Sequence, residues 1–61
     1  MMSLMNEKKA AECLGLSVGT LRNWRCNSEG PSYLKLGGAV RYRPEDLKAY
    51  VEENLVTHLG A

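Results

Sequence analysis

The chain reads as a mainly α fold with one β-hairpin, its elements in the order helix, helix, hairpin, helix. Three observations predict it. Apolar residues recur at helical spacing in two closely spaced segments, Ala10–Leu14 and Val18-Leu21-Trp24. Two alternating stretches flank Gly37-Gly38, a pair suited to the positive φ of a tight hairpin turn. A third apolar period then opens at Pro44-Glu45-Asp46.

The first helix is expected over about 7–14, after residues 1–5 as a loose lead-in. Asn6 is a good N-cap, and Glu7 places a carboxylate at the positive end of the helix dipole. Ala10, Ala11, Cys13 and Leu14 form its apolar stripe, and Gly15 ends it as a left-handed C′ residue. Ser17 offers a second N-cap at once, so the connection is very tight. The second helix is expected over about 18–26, with Val18, Leu21 and Trp24 on its inner face. It fails at Asn27-Ser28-Glu29-Gly30-Pro31, a run of turn formers. In the hairpin, about 33–43, Leu34 and Leu36 share one face, and Val40 and Tyr42 alternate with Arg41 and Arg43. The third helix carries Leu47, Tyr50, Val51, Leu55 and Leu59 as its expected buried stripe.

Sixty-one residues give one small domain, 1–61 with its core at about 5–55. Such a chain buries only roughly 60% of its unfolded surface and is marginal in stability without a partner or ligand. Hydrophobic residues at 44% and charged residues at 25% describe a globular chain and not a disordered one. No apolar run approaches the roughly 20 residues of a membrane span, and no signal-peptide pattern opens the chain. Two cysteines are too few for a disulfide scaffold. A cytoplasmic protein without membrane contact is expected.

The net charge of +1 conceals an uneven distribution. Residues 22–43 hold Arg22, Arg25, Lys35, Arg41 and Arg43 against Glu29 alone. Residues 44–61 hold Lys48 against Glu45, Asp46, Glu52 and Glu53. A basic middle and an acidic end suggest one face for a polyanion and another for solvent.

The first two helices supply the geometry for such a partner. Ala11 stands four residues before Gly15, where two helices crossing sharply admit only a small side chain. Ala10, Leu14, Leu16, Leu21 and Trp24 occupy the positions that seal the wedge between them. A helix-turn-helix requires this combination, and it leaves the outer face of the second helix free to enter a major groove. Ser17, Val18, Gly19 and Thr20 begin that helix, with Arg22 and Asn23 one turn on. Arg22 suits guanine and Asn23 suits adenine. Gly19 allows close approach to the sugar-phosphate backbone, or is simply a glycine tolerated at a cost of about 1 kcal/mol. Arg25 leans inward and reaches either a phosphate or Glu29. On the hairpin, Lys35, Arg41 and Arg43 clamp phosphates as a wing, or guard exposed strand edges.

These residues together resemble a family. Met5-Asn6 through Ser17, Thr20-Leu21-Arg22-Asn23-Trp24, Gly30-Pro31, Lys35 through Arg43, and Asp46-Leu47-Lys48-Ala49-Tyr50 are similar to the small excisionase and AlpA-type DNA-binding proteins. The resemblance covers about residues 5–55. It implies a MerR-like winged helix-turn-helix that binds double-stranded DNA in phages, plasmids or integrated elements, as a recombination directionality factor or a transcriptional regulator. It also implies lateral assembly with further copies and work beside an integrase or other phage protein. The chain departs from the family at Ala39, a wing-tip position often basic, and at Asn23, where a second basic residue is frequent. The alternative is a winged-helix protein-interaction module, such as the anchoring domain of a phage DNA-packaging (terminase small) subunit.

Other features are expected to be structural. Trp24, Tyr42 and Tyr50 read as core aromatics, and His58 as solvated. Cys13, Cys26 and His58 lack the paired spacing of a metal site. No phosphate loop, nucleophile set or inward carboxylate pair suggests an enzyme, so neither metal, cofactor nor catalysis is expected.

Overall fold

The computed structural model of the chain describes residues 3–57. Three helices and one hairpin follow in the expected order: α1 (Glu7–Leu14), α2 (Val18–Cys26), β1 (Leu34–Leu36), β2 (Ala39–Arg41) and α3 (Pro44–Glu53).

Local chemistry accounts for each boundary. Asn6 Oδ1 accepts the Lys9 N–H at 2.8 Å, closing the start of α1. Gly15 takes the left-handed conformation at φ +70°, and the Leu16 N–H then folds back onto the Ala11 carbonyl at 2.9 Å. One residue later Ser17 Oγ accepts the Thr20 N–H at 3.1 Å and starts α2. The turn after α2 takes positive φ at Ser28 and Gly30. Pro44 begins α3, with Glu45 and Asp46 in its first turn.

The antiparallel ribbon pairs Leu34 with Arg41, Lys35 with Val40 and Leu36 with Ala39, leaving Gly37-Gly38 as the two-residue turn. One expectation changes here. Met5 is not loose lead-in: its N–H and carbonyl both bond to Tyr42, each at 2.8 Å, in an isolated antiparallel bridge. A third segment therefore flanks the hairpin and ties it to the start of α1.

Ala10, Ala11, Leu21, Tyr42 and Leu47 form the buried core, with Met5, Leu14, Val18, Trp24 and Val40 packed around it. Every helix and the second hairpin strand contribute, so the two-helix wedge and the wing share one apolar centre. Trp24 and Tyr50 meet with ring centroids 5.4 Å apart, joining α2 to α3.

Three members of the expected stripes lie elsewhere. Cys13 is exposed, with its Sγ 3.7 Å from Met5 Sδ. Ala10, Ala11 and Leu14 centre the inward arc of α1, and Cys13 falls at its edge. Val51 is 54% exposed and Leu55 is 75% exposed. α3 ends at Glu53, where Asn54 caps it through Nδ2 to the Tyr50 carbonyl at 2.8 Å, so Leu55 lies past the helix. Leu16, expected to seal the wedge, is 40% exposed and stands outside the core cluster. Leu59 and His58 lie outside the described residues.

Candidate nucleic-acid interface

The outward ridge of α2 consists of Gly19, Arg22, Asn23 and Cys26, all exposed. Leu21 is wholly buried and Val18 and Trp24 pack on the core, so the helix shows solvent one polar side. Val18, expected at the reading edge, is thus half-buried against the core cluster. Ser17 and Thr20 stand at the start of the helix with their hydroxyl oxygens 3.0 Å apart. A Cβ built on Gly19 meets only Ser17 Oγ, at 3.8 Å. Nothing inside the fold therefore requires glycine at this position.

Arg22 and Arg25 converge on one carboxylate, Glu7. Arg22 donates from Nε to Oε2 at 3.2 Å and Oε1 at 3.3 Å, and from Nη2 to Oε2 at 2.7 Å. Arg25 donates from Nη2 to Glu7 Oε1 and from Nη1 to Tyr42 Oη, each at 2.9 Å, and its guanidinium lies 5.7 Å from the Tyr33 ring centre. The two arginines differ in exposure. The Arg22 side chain is 64% exposed, whereas that of Arg25 is 16% exposed. Arg25 thus pairs with Glu7 and not with Glu29, and it braces α2 against α1 and the ribbon.

The hydrogen bonds from Arg22 and then Arg25 pull the Glu7 carboxyl down to about 2. Its folded value lies below the ordinary 4.5, so its contribution to stability is complete above that value and is lost as pH falls toward 2. The thermal midpoint is expected to fall across that window, and to fall less in Glu7→Gln. Asp46, held low by its hydrogen bonds from Arg43, loses its contribution in the same direction as pH falls. Calorimetry at pH 5 and pH 3 checks the difference.

The three wing cations are not brought together. In an antiparallel pair directly opposed residues share a face, so Lys35 stands on the face of Val40 and Arg41 on that of Leu34. Arg43 lies beyond the ribbon at the N-cap of α3, with Nε 2.6 Å and Nη2 2.8 Å from the Asp46 carboxylate. Among the described residues, Lys35 and Arg41 carry no ion pair. Arg41 instead bonds the Val40 carbonyl at 2.7 Å and, with Lys8 and Arg25, lines an open cleft between the start of α1 and the wing.

A family model described as a helix-turn-helix domain matches residues 4–55, which include all three helices and the hairpin. The chain belongs to the helix-turn-helix domain family. No curated protein matches it. With the hairpin between α2 and α3, this helix-turn-helix is of the winged kind. Membership supports DNA as the partner of the helix-turn-helix domain. No helix among the described residues is long and apolar enough to cross a membrane, and no three His, Cys, Asp or Glu side chains gather there as a metal site would require.

Two helix-turn-helix residues escaped sequence reasoning. Glu7 read only as a carboxylate favouring the helix dipole, because its partners lie 15 and 18 positions away. Lys8 stands outside the apolar stripe of α1, and the cleft it lines forms only when the wing packs beside α1.

Proposed function

We propose that the protein binds double-stranded DNA sequence-specifically, as a single winged helix-turn-helix domain over residues 1–61 with its core at about 5–55. In this reading α2 enters the major groove, with Arg22 and Asn23 facing base edges and Ser17, Val18, Gly19 and Thr20 at the groove wall. Lys35 and Arg41 take phosphates on the flanking backbone. Arg25 and Arg43, held by Glu7 and Asp46, orient those surfaces rather than contact DNA directly. The observation that carries the reading is the polar ridge of α2, with the largely exposed Arg22 side chain on it, on a helix whose opposite face is buried through Leu21 against Ala10 and Ala11 of α1.

The activity proposed is binding, without catalysis or cofactor. A single module of this kind buries only roughly 600–1,000 Å² of its own surface on DNA, so tight binding calls for adjacent copies or a second protein. Together with the resemblance to excisionase and AlpA-type proteins, this supports a small intracellular factor of a mobile element, directing an integrase or regulating transcription. Selection from random duplexes with the purified chain tests the central claim. A recovered consensus is the expected result, and no retention of any duplex at low ionic strength overturns it. A consensus lying at a recombination site or in a promoter separates the two roles.

Two substitutions sharpen the test. Lys35→Ala is expected to weaken all duplexes alike and to lower the slope of log affinity against log salt by about one. Gly19→Ala separates folding from binding. It is expected to stabilise the helix by about 1 kcal/mol, since its methyl group meets only ordinary contact, yet to weaken DNA binding several-fold by intruding on the groove. Denaturant melts beside anisotropy titrations check both halves. Unchanged affinity assigns Gly19 no part in the interface.

A further inference from the structure

We propose that Glu7 is a positioning residue of the interface, gripping one edge of the Arg22 guanidinium so that the other edge is held out for a guanine. The proposal rests on the DNA-binding reading above and deepens it.

The geometry of the pair supplies the reason. Glu7 accepts from Nε and Nη2 of Arg22, the side edge of the guanidinium. Of the five donors on an arginine, those of the Nη1–Nη2 end remain. That end offers two neighbouring N–H groups, the number needed for O6 and N7 of guanine. Arg22 is largely exposed although its side edge is taken, so the end edge is open to a ligand. Lysine cannot replace this arrangement, since a single ammonium has no second edge to present.

Glu7 is itself held from the core outward. Tyr42 is 1% exposed, and its hydroxyl accepts from Arg25, whose other terminal nitrogen donates to Glu7. A long arginine side chain loses rotamer freedom on binding, and a partner that orders it beforehand removes part of that loss. The same carboxylate sits beside the surface proposed for phosphates and repels them. Glu7 therefore raises affinity for the right base and lowers affinity for DNA at large, so its removal moves the two quantities in opposite directions.

Anisotropy titrations of the full chain test this, using the duplex selected by the wild type, the same duplex with one guanine replaced, and a scrambled duplex. The guanine is the one whose preference disappears in Arg22→Ala. In Glu7→Gln, binding to the scrambled duplex is expected to hold or tighten, while the ratio of selected to guanine-replaced affinity falls roughly tenfold. Arg22→Lys is expected to lose the same ratio. Adding Glu7→Gln to Arg22→Ala is expected to lower it no further. Should Glu7→Gln melt early, Glu7→Asp keeps the charge, shortens the reach and carries the same expected loss of ratio. A ratio kept in full overturns the proposal. Equal tightening on all three duplexes overturns it too, because Glu7 would then only sequester Arg22. If the wild type binds no duplex at all, the DNA-binding reading falls first.

Discussion

Gly30→Ala is expected to remove most of the stability of the fold. Gly30 sits at φ +83°, and a Cβ there would lie 2.5 Å from Cε3 of Trp24 and 3.0 Å from its Cβ and Cδ2. The first penalty is conformational, because an L-residue in the left-handed region costs about 1–2 kcal/mol. The second is steric. Trp24 cannot easily retreat, being packed on the core and against Tyr50, and overpacking of this kind costs about 1–3 kcal/mol. Together these approach the roughly 3–9 kcal/mol expected for a domain of this size. Gly37→Ala is the matched control, since Gly37 lies at φ +64° with nothing within 4 Å of a Cβ. It should cost only the conformational part. Trp24 is the single tryptophan, so its fluorescence in a denaturant titration reports both variants directly. Equal midpoints for Gly30→Ala and Gly37→Ala would show that the contact between Gly30 and the indole is not as described.

Arg22→Ala is expected to have the largest effect on function. A bidentate arginine–guanine contact supplies about 1–3 kcal/mol of discrimination, so affinity for the selected site should fall roughly tenfold or more while the base preference facing residue 22 relaxes. The fold should survive, since the Arg22 side chain is 64% exposed and Arg25 still holds Glu7 when Arg22 is removed. Binding to a scrambled duplex should weaken only by the loss of one charge. This pattern differs from that of Lys35→Ala, in which selected and scrambled sites weaken together. Parallel titrations of the two variants separate base reading from phosphate attraction. If Arg22→Ala kept both affinity and preference, α2 would not be the reading element in this orientation.

The same residues show how far the sequence reaches. The boundaries of α1, α2 and α3 were legible because each depends on a few adjacent residues: Asn6, Gly15, Ser17 and Pro44 act within one helical turn of where they stand. The Gly37-Gly38 turn was legible for the same reason. Cys13 and Val51 misled because periodicity states which side chains share an arc, not how wide an arc the neighbouring elements cover, and Leu55 misled because α3 ends at Glu53, before reaching it. With one small core to pack against, the inward arc narrows to Ala10, Ala11 and Leu14 on α1 and to Leu47 and Tyr50 on α3.

The basic middle segment shows the same limit in electrostatic form. Its five cations stand in the sequence against a single acid, yet three are paired with carboxylates outside the segment: Arg22 and Arg25 share the single charge of Glu7, and Arg43 pairs chiefly with Asp46. Of the five, Lys35 and Arg41 have no ion pair among the described residues.

By itself the sequence determined the elements, their order and the polar ridge of α2, since caps, turns and helical spacing act between near neighbours. Tertiary structure alone decided which arginines face solvent and which are braced, because the pairing of Glu7 with Arg22 and Arg25 arises where α1 crosses α2, and no local spacing records that crossing.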